Sequence, residues 1–155
     1  MNSSAPIIIG VISTVLLIAI IYSLTTQTKT ASYSQFGIGG KNFTLTYVAT
    51  NQASWEHGLM NTTITNATTM LFVFPTPANY PFWMLDTYSN LDMIWINGST
   101  SSGKIVYIAA NATSCFNPNL CTIYNPNRLA NFVIEAKAGF VKRNNVSLGQ
   151  VVLLR

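Results

Sequence analysis

The stretch "PFWMLDTYSNLDMIWING", Pro81–Gly98, decides how the rest of the chain is read. Its second half, Leu91 to Ile96, is apolar on both alternating faces: Asp92, Ile94 and Ile96 on one, Leu91, Met93 and Trp95 on the other. That pattern predicts a strand buried on both sides, with Asp92 at its entrance. The stretch also holds two of only four acidic residues in the chain, Asp86 and Asp92. A carboxylate in such surroundings must find hydrogen-bond donors or bear a desolvation cost. The expectation for Asp92 is therefore structural, with backbone N–H groups of the adjoining "TYSN" turn as its donors.

Working outward, further short runs rich in Val, Ile, Phe, Tyr and Trp recur: "NFTLTYVA", "TMLFVF", "FWMLD", "KIVYIAA", "ANFVIEAKA" and "QVVLL". Segments of turn chemistry separate them, and "NGSTSSG" between two alternating runs reads as a hairpin loop. "NQASWEHGLM" fits one or two helical turns, with Asn51 as N-cap and Gly58 as the stop. Strands at this spacing predict an all-β, compact β-sandwich or barrel-like domain with short helical turns.

Composition narrows the setting. Of 155 residues only 8% are charged, and the net charge of +4 comes from few acids, not from many bases. Lys142-Arg143 is the one adjacent basic pair and no basic stripe alternates with aromatics, which argues against nucleic-acid binding. Low charge suits a surface facing strong acid, covered by sugar or packed into an envelope layer. The uncharged run from Ala5 to Leu24 is long enough to cross a bilayer as a helix. Its length and the lack of preceding basic residues favour an uncleaved anchor over a cleavable signal peptide. The expected organisation is a short tail (1–4), a transmembrane anchor (5–24), a polar linker (25–41) and a β-rich ectodomain (42–155). Six Asn-x-Ser/Thr glycosylation acceptors follow the span, at Asn42, Asn61, Asn66, Asn97, Asn111 and Asn145. Cys115 and Cys121 close a short loop that a disulfide can bridge, and no further sulfur or imidazole nearby suggests a metal. These features place the expected ectodomain outside the cytoplasm, on a single-pass membrane protein whose first partner is the lipid bilayer.

The ordered set "WEHGLM", "MLFVF", "FWMLDT", "LDMIWI", Cys115/Cys121/Tyr124, "FVIEAKAGF" and "LGQVVLL" resembles the domain of unknown function 192 family, over about residues 43–154. The residues that carry the resemblance are Gly58, Leu59, Met60, Trp83, Met84, Thr87, Leu91, Asp92, Glu135 and Gly139. It implies a compact β-rich sandwich, common in exported or membrane-anchored proteins, and implies no activity. Two departures stand out: Leu85-Asp86 where the family often has Lys-Asn, and Thr69 where a glycine is common.

Candidate chemistry is sparse. Asp86, Asp92 and Glu135 could act as acid and base on a glycosidic bond if the fold brought them together. Trp55, Trp83, Tyr80 and Tyr88 could line a sugar-stacking groove, whereas Trp95 belongs to the buried strand. Trp83 and Asp86 are the residues best suited to ligand binding. His57, the one imidazole, reads as solvated beside Glu56. No nucleophile elbow, zinc-protease motif or phosphate loop is present, and no cofactor is expected. The reading that follows is a non-enzymatic envelope module that binds a ligand, glycans or other envelope proteins. Its rivals are a glycan hydrolase using the three carboxylates and a subunit of a surface filament, in which "ASYSQFGIGG" fills a neighbour's sheet edge.

Overall fold

The computed structural model describes residues 32–155. The expected anchor (5–24) and the tail before it lie outside the described residues, as does the linker up to residue 31. Among the described residues no helix is long and apolar enough to cross a membrane.

The domain is all-β, a strongly curled half-barrel made from one eight-stranded sheet in the order β2-β1-β8-β6-β5-β7-β4-β3. The strands are β1 (Gln35–Ile38), β2 (Lys41–Thr44), β3 (Tyr47–Ala49), β4 (Thr69–Ala78), β5 (Leu91–Gly98), β6 (Ser102–Ala112), β7 (Ala130–Lys137) and β8 (Val151–Leu154). Two short helices, α1 (Gln52–His57) and α2 (Phe140–Arg143), complete it with a 3₁₀ turn at Pro118–Leu120. All pairings are antiparallel except β3 with β4. The described residues form one sheet, not two sheets packed face to face. Strand periodicity is the same in both arrangements, so only the pairing partners separate them.

The curl is set by the chain itself. The two edge strands, β2 and β3, are joined by Leu45 and Thr46 alone. The Thr69 hydroxyl donates to the Thr44 carbonyl at 2.6 Å, and the Thr46 amide donates to the Thr69 carbonyl at 3.0 Å, which draws the two ends together. Inside the curl, side chains from β1, β4, β5, β6, β7 and β8 and the segments that flank them form one cluster. Tyr33 and Phe132 stand edge to face at 6.1 Å, and Phe36, Phe43 and Phe140 form a second aromatic group. Ile38, Leu71, Ile94, Ile96, Ile134 and Val152 fill the rest of this concave core. The outer face is also covered. Met70, Phe72, Met93, Trp95 and Val133 pack there under α1 and the segment between β4 and β5.

β5 is buried through its first six residues, as its two-sided apolar pattern predicts. The "NGSTSSG" hairpin forms between β5 and β6, with Gly98 facing Gly103 so closely that a Cβ on Gly98 would lie 2.2 Å from the Gly103 Cα. α1 also forms as read: the Asn51 carboxamide accepts from the Ser54 amide, the Ser54 hydroxyl accepts from the Asn51 amide, and Gly58 ends the helix at φ 50°. Three details differ. "FWMLD" is not a strand; it touches the sheet system only through bridges from Phe82 to Tyr124 and from Leu85 to Cys115, and Asp86 leaves extended geometry at φ 50°. "NFTLTYVA" is split between β2 and β3, because the curl takes its halves to opposite edges. Gln35–Ile38, assigned to the linker on its polarity, is the strand β1, paired on both sides by β2 and β8. The filament arrangement would send that segment to a neighbouring molecule, and here it is spent within its own sheet.

Asp92 lies on the concave side of β5 and is 1% exposed. One carboxylate oxygen accepts from the Asn111 amide at 2.8 Å, the other from the Val141 amide at 2.7 Å. The donors come from the end of β6 and the first turn of α2, not from the "TYSN" turn. Asp92 thus ties α2 across the open end of the curl. Asp92→Ala leaves two amides without their acceptor and should cost on the order of 3 kcal/mol in urea unfolding. Asp92→Asn, which keeps one acceptor oxygen, should recover part of that loss; an Asp92→Ala midpoint close to wild type would contradict the tie.

Candidate functional site

A cavity of about 340 Å³ opens on the outer face of the sheet, between α1 and the segment from Tyr80 to Thr87. Its position follows from local sequence. The capping box at Asn51 and the left-handed Gly58 aim the chain so that Leu59 is buried in the outer core and Met60 lines the cavity. A Cβ on Gly58 would meet the Phe72 ring at 3.4 Å, so helix end and cavity wall are in contact. The opposite rim is irregular backbone held by the cysteine loop. Asp86 donates its amide to the Cys115 carbonyl at 2.8 Å, Cys115 donates to the Met84 carbonyl at 3.1 Å, and Phe82 and Tyr124 exchange a pair of backbone bonds. Cys115 and Cys121 are disulfide-bonded with Cα atoms 5.5 Å apart, which keeps the far end of this clamp short.

The walls are largely aromatic. Trp55 packs on Phe74, Phe74 stacks on Tyr80 at 3.7 Å, and Phe82 meets Phe72 edge to face at 4.8 Å. Trp83 is 40% exposed at the mouth. Polar side chains that line the cavity include Gln52, Glu56, His57, Tyr80, Thr87 and Glu135.

Glu135 is the unusual member. On β7 it stands between Met70 of β4 and Met93 of β5, so it faces the outer core with them. It is 4% exposed, and its Oε2 has no hydrogen-bond partner. Burial among apolar side chains pushes its carboxyl up to about 8, so near neutral pH it is held mostly protonated. Buried polar side chains generally find partners, as Asp92 does on the other face. An unpartnered oxygen at the inner end of a cavity is a group waiting for one.

The three carboxylates proposed to cooperate do not meet. Glu135 lines the cavity; Asp92, displaced by one residue from Met93, points to the concave face and is occupied by two backbone amides. Asp86 is half-buried in the rim and lines no part of the cavity. Its left-handed backbone suits Asn or Asp, so the asparagine that the resemblance carries here fits the same turn geometry. Leu85 presents an apolar side chain to the cavity where the resemblance carries a lysine. Trp55, Tyr80 and Trp83 are lining residues, but Tyr88 is not; its hydroxyl donates to the Asn61 side chain at 2.7 Å. His57 sits at the mouth, next to Glu56. Phe72, Phe74 and Phe82 also line the site, and no chemical motif in the sequence marks them. For the strand residues the available signal was alternation, which puts Phe72 and Phe74 on the face of Met70. Among the described residues no group of three His, Cys, Asp or Glu side chains could hold a metal. Of the glycosylation acceptors, Asn42, Asn61, Asn66, Asn111 and Asn145 are exposed and Asn97 is half-buried.

The raised Glu135 carboxyl has a thermodynamic consequence. Between its unfolded value of 4.5 and about 8 the native state binds the extra proton, so stability falls as pH rises through that window. Glu135→Gln removes this contribution. The wild type should lose up to about 1.4 kcal/mol per pH unit relative to Glu135→Gln between pH 5 and 8, read from urea midpoints. Parallel curves for the two proteins would show that Glu135 is not held protonated.

Solved structures of the same fold include two bacterial proteins. A Sinorhizobium meliloti 1021 protein described as a "putative transcription regulator" is 29% identical, with a TM-score of 0.65, over 79% of this chain and 95% of that one. A protein of unknown function from Novosphingobium aromaticivorans DSM 12444 is 22% identical, also with a TM-score of 0.65, over 81% of this chain and 88% of that one. No curated protein matches in sequence. Most of the residues on which the resemblance rests frame the cavity or belong to the Asp92 tie, and the family profile matches residues 35–154. The chain belongs to the domain of unknown function 192 family, described as Uncharacterized ACR.

Proposed function

We propose that this chain is a membrane-anchored extracytoplasmic binding module that holds a small, largely apolar molecule in the cavity between α1 and the Tyr80–Thr87 rim. The observation that carries the binding reading is the buried, unpartnered Glu135 oxygen at the inner end of an aromatic cavity. Aromatic walls supply apolar contact, and one polar group at depth supplies orientation, the usual division of labour in a small-molecule site. The ordered clamp around the rim favours a preformed cavity, which reduces the entropy lost on binding.

The location rests on three supports. Residues 5–24 form an uncharged apolar run long enough for a bilayer-spanning helix. The Cys115–Cys121 disulfide fits an oxidising compartment. Five of the six acceptor asparagines after that run are exposed, as sugar attachment requires. Peptide mass spectrometry of the protein taken from its native membrane should find hexose-bearing peptides at several of these sites, together with residues 5–24 still attached. Unmodified peptides at all six would remove the glycoprotein part of the reading.

Binding is tested with benzyl alcohol as a small neutral probe and the full chain in lipid nanodiscs, empty nanodiscs being subtracted. Trp55 and Trp83 line the cavity, so a saturable change in tryptophan fluorescence is expected at pH 7. Leu85→Phe, which fills the cavity from its rim, should weaken the response at least about tenfold, equivalent to roughly 1.4 kcal/mol. A response that never saturates, or that Leu85→Phe leaves unchanged, would count against this cavity as the site.

A further inference from the structure

We propose that the molecule this cavity recognises is a small organic cation with an apolar or aromatic body, its ammonium group directed to Glu135. This deepens the binding reading above and rests on it. The charge distribution points that way. The chain has eight Lys and Arg residues against four acidic ones, yet two of the four acids, Glu56 and Glu135, line this one cavity. Among the described residues no Lys or Arg lines it. Among the described residues, a basic protein has therefore kept its Lys and Arg side chains out of the cavity and placed half of its acidic side chains there.

The aromatic walls suit the same ligand class. Trp55, Tyr80, Phe82 and Trp83 line the cavity, and the negative face of an aromatic ring attracts a cation. A neutral apolar ligand would gain from the rings but leave the Glu135 oxygen without a charged partner. An anionic ligand would face two carboxyl groups. A cation gains from both, because a charge moved into an apolar site needs an opposite charge to offset its lost hydration.

The proton balance is explicit. On binding, the protonated Glu135 carboxyl gives its proton to solvent and the resulting carboxylate pairs with the ligand ammonium. No covalent bond forms or breaks. Other titratable groups facing the cavity are Glu56 and His57 from α1 and Tyr80 from the rim. The strands on either side of Glu135 contribute Met70 and Met93, which do not titrate.

The test compares benzylammonium, benzyl alcohol and benzoate, which share a ring and differ in charge, by calorimetry on the full chain in nanodiscs. At pH 8 benzylammonium should bind at least about tenfold more tightly than benzyl alcohol, and benzoate most weakly. Below pH 8 benzylammonium affinity should fall by up to about tenfold per pH unit, with close to one proton released per ligand in paired buffers of different ionisation heat. Glu135→Gln should abolish the preference for the cation and the proton release. A pH dependence that persists in Glu135→Gln would assign it to His57 or Glu56 and overturn the proposal. So would equal affinities of benzylammonium and benzyl alcohol in the wild type, a result that leaves the binding reading standing. Failure of all three probes to bind would remove the binding reading and this inference together. The wild-type pH series needs no variant, so the proposal stays open to refutation if Glu135→Gln misfolds.

Discussion

The pleat of β5 and β7, paired in register along their length, is the constraint on which the rest of this molecule depends. Both strands are covered on both sides, so each successive side chain must be committed to the concave core or to the outer face. Ile94 and Ile134 go inward; Met93, Trp95 and Val133 go outward. The two carboxylates obey the same rule. Asp92 is one residue away from Met93, and Met93 is directly opposite Glu135, so the acids are forced onto opposite sides of the sheet. No adjustment of loops can bring them together without a register slip that would turn out the whole apolar set.

The two buried acids then have opposite fates. Asp92 meets two backbone amides at short distance and becomes the tie between β5, β6 and α2. Glu135 meets methionines and rings, retains an unpartnered oxygen, and is held largely neutral by its surroundings. One carboxylate serves the fold, and the other is a cost the fold tolerates. A core that needed only packing would accept an apolar residue at 135, since replacing an unsatisfied polar group by an apolar one of similar shape is rarely unfavourable. Retaining the acid beside a cavity makes sense if something from outside completes it.

The motif residues divide along the same line. Gly58, Leu59, Met60, Trp83, Thr87 and Glu135 build or frame the cavity. Asp92 and Gly139 belong to the tie at the other face, where Gly139 adopts φ 89° in front of α2. Met84 and Leu91 are buried in the core behind the cavity. What looks in sequence like one signature is two structural devices on two sides of a sheet. The disulfide belongs with the first, because Cys115 is hydrogen-bonded to both Met84 and Asp86 and so holds the irregular rim in place of strand pairing.

Local features were legible in the sequence because their causes are local. The capping box from Asn51 to Ser54, the stop at Gly58, the hairpin between β5 and β6, the two-sided burial of "LDMIWI" and the cysteine pair all follow from residues a few positions apart. Sequence also determined that the chain is β-rich, low in charge and of this family. The tertiary structure alone decided that the strands form one curled sheet, because pairing partners come from distant parts of the chain and alternation does not name them. It decided that a polar segment such as Gln35–Ile38 is a strand, since an edge of the curl needed a partner, and that "FWMLD" is not one. Above all it decided which acid is satisfied. Whether a carboxylate finds donors depends on what other segments bring to it, and that is set by long-range packing, not by its neighbours in the chain.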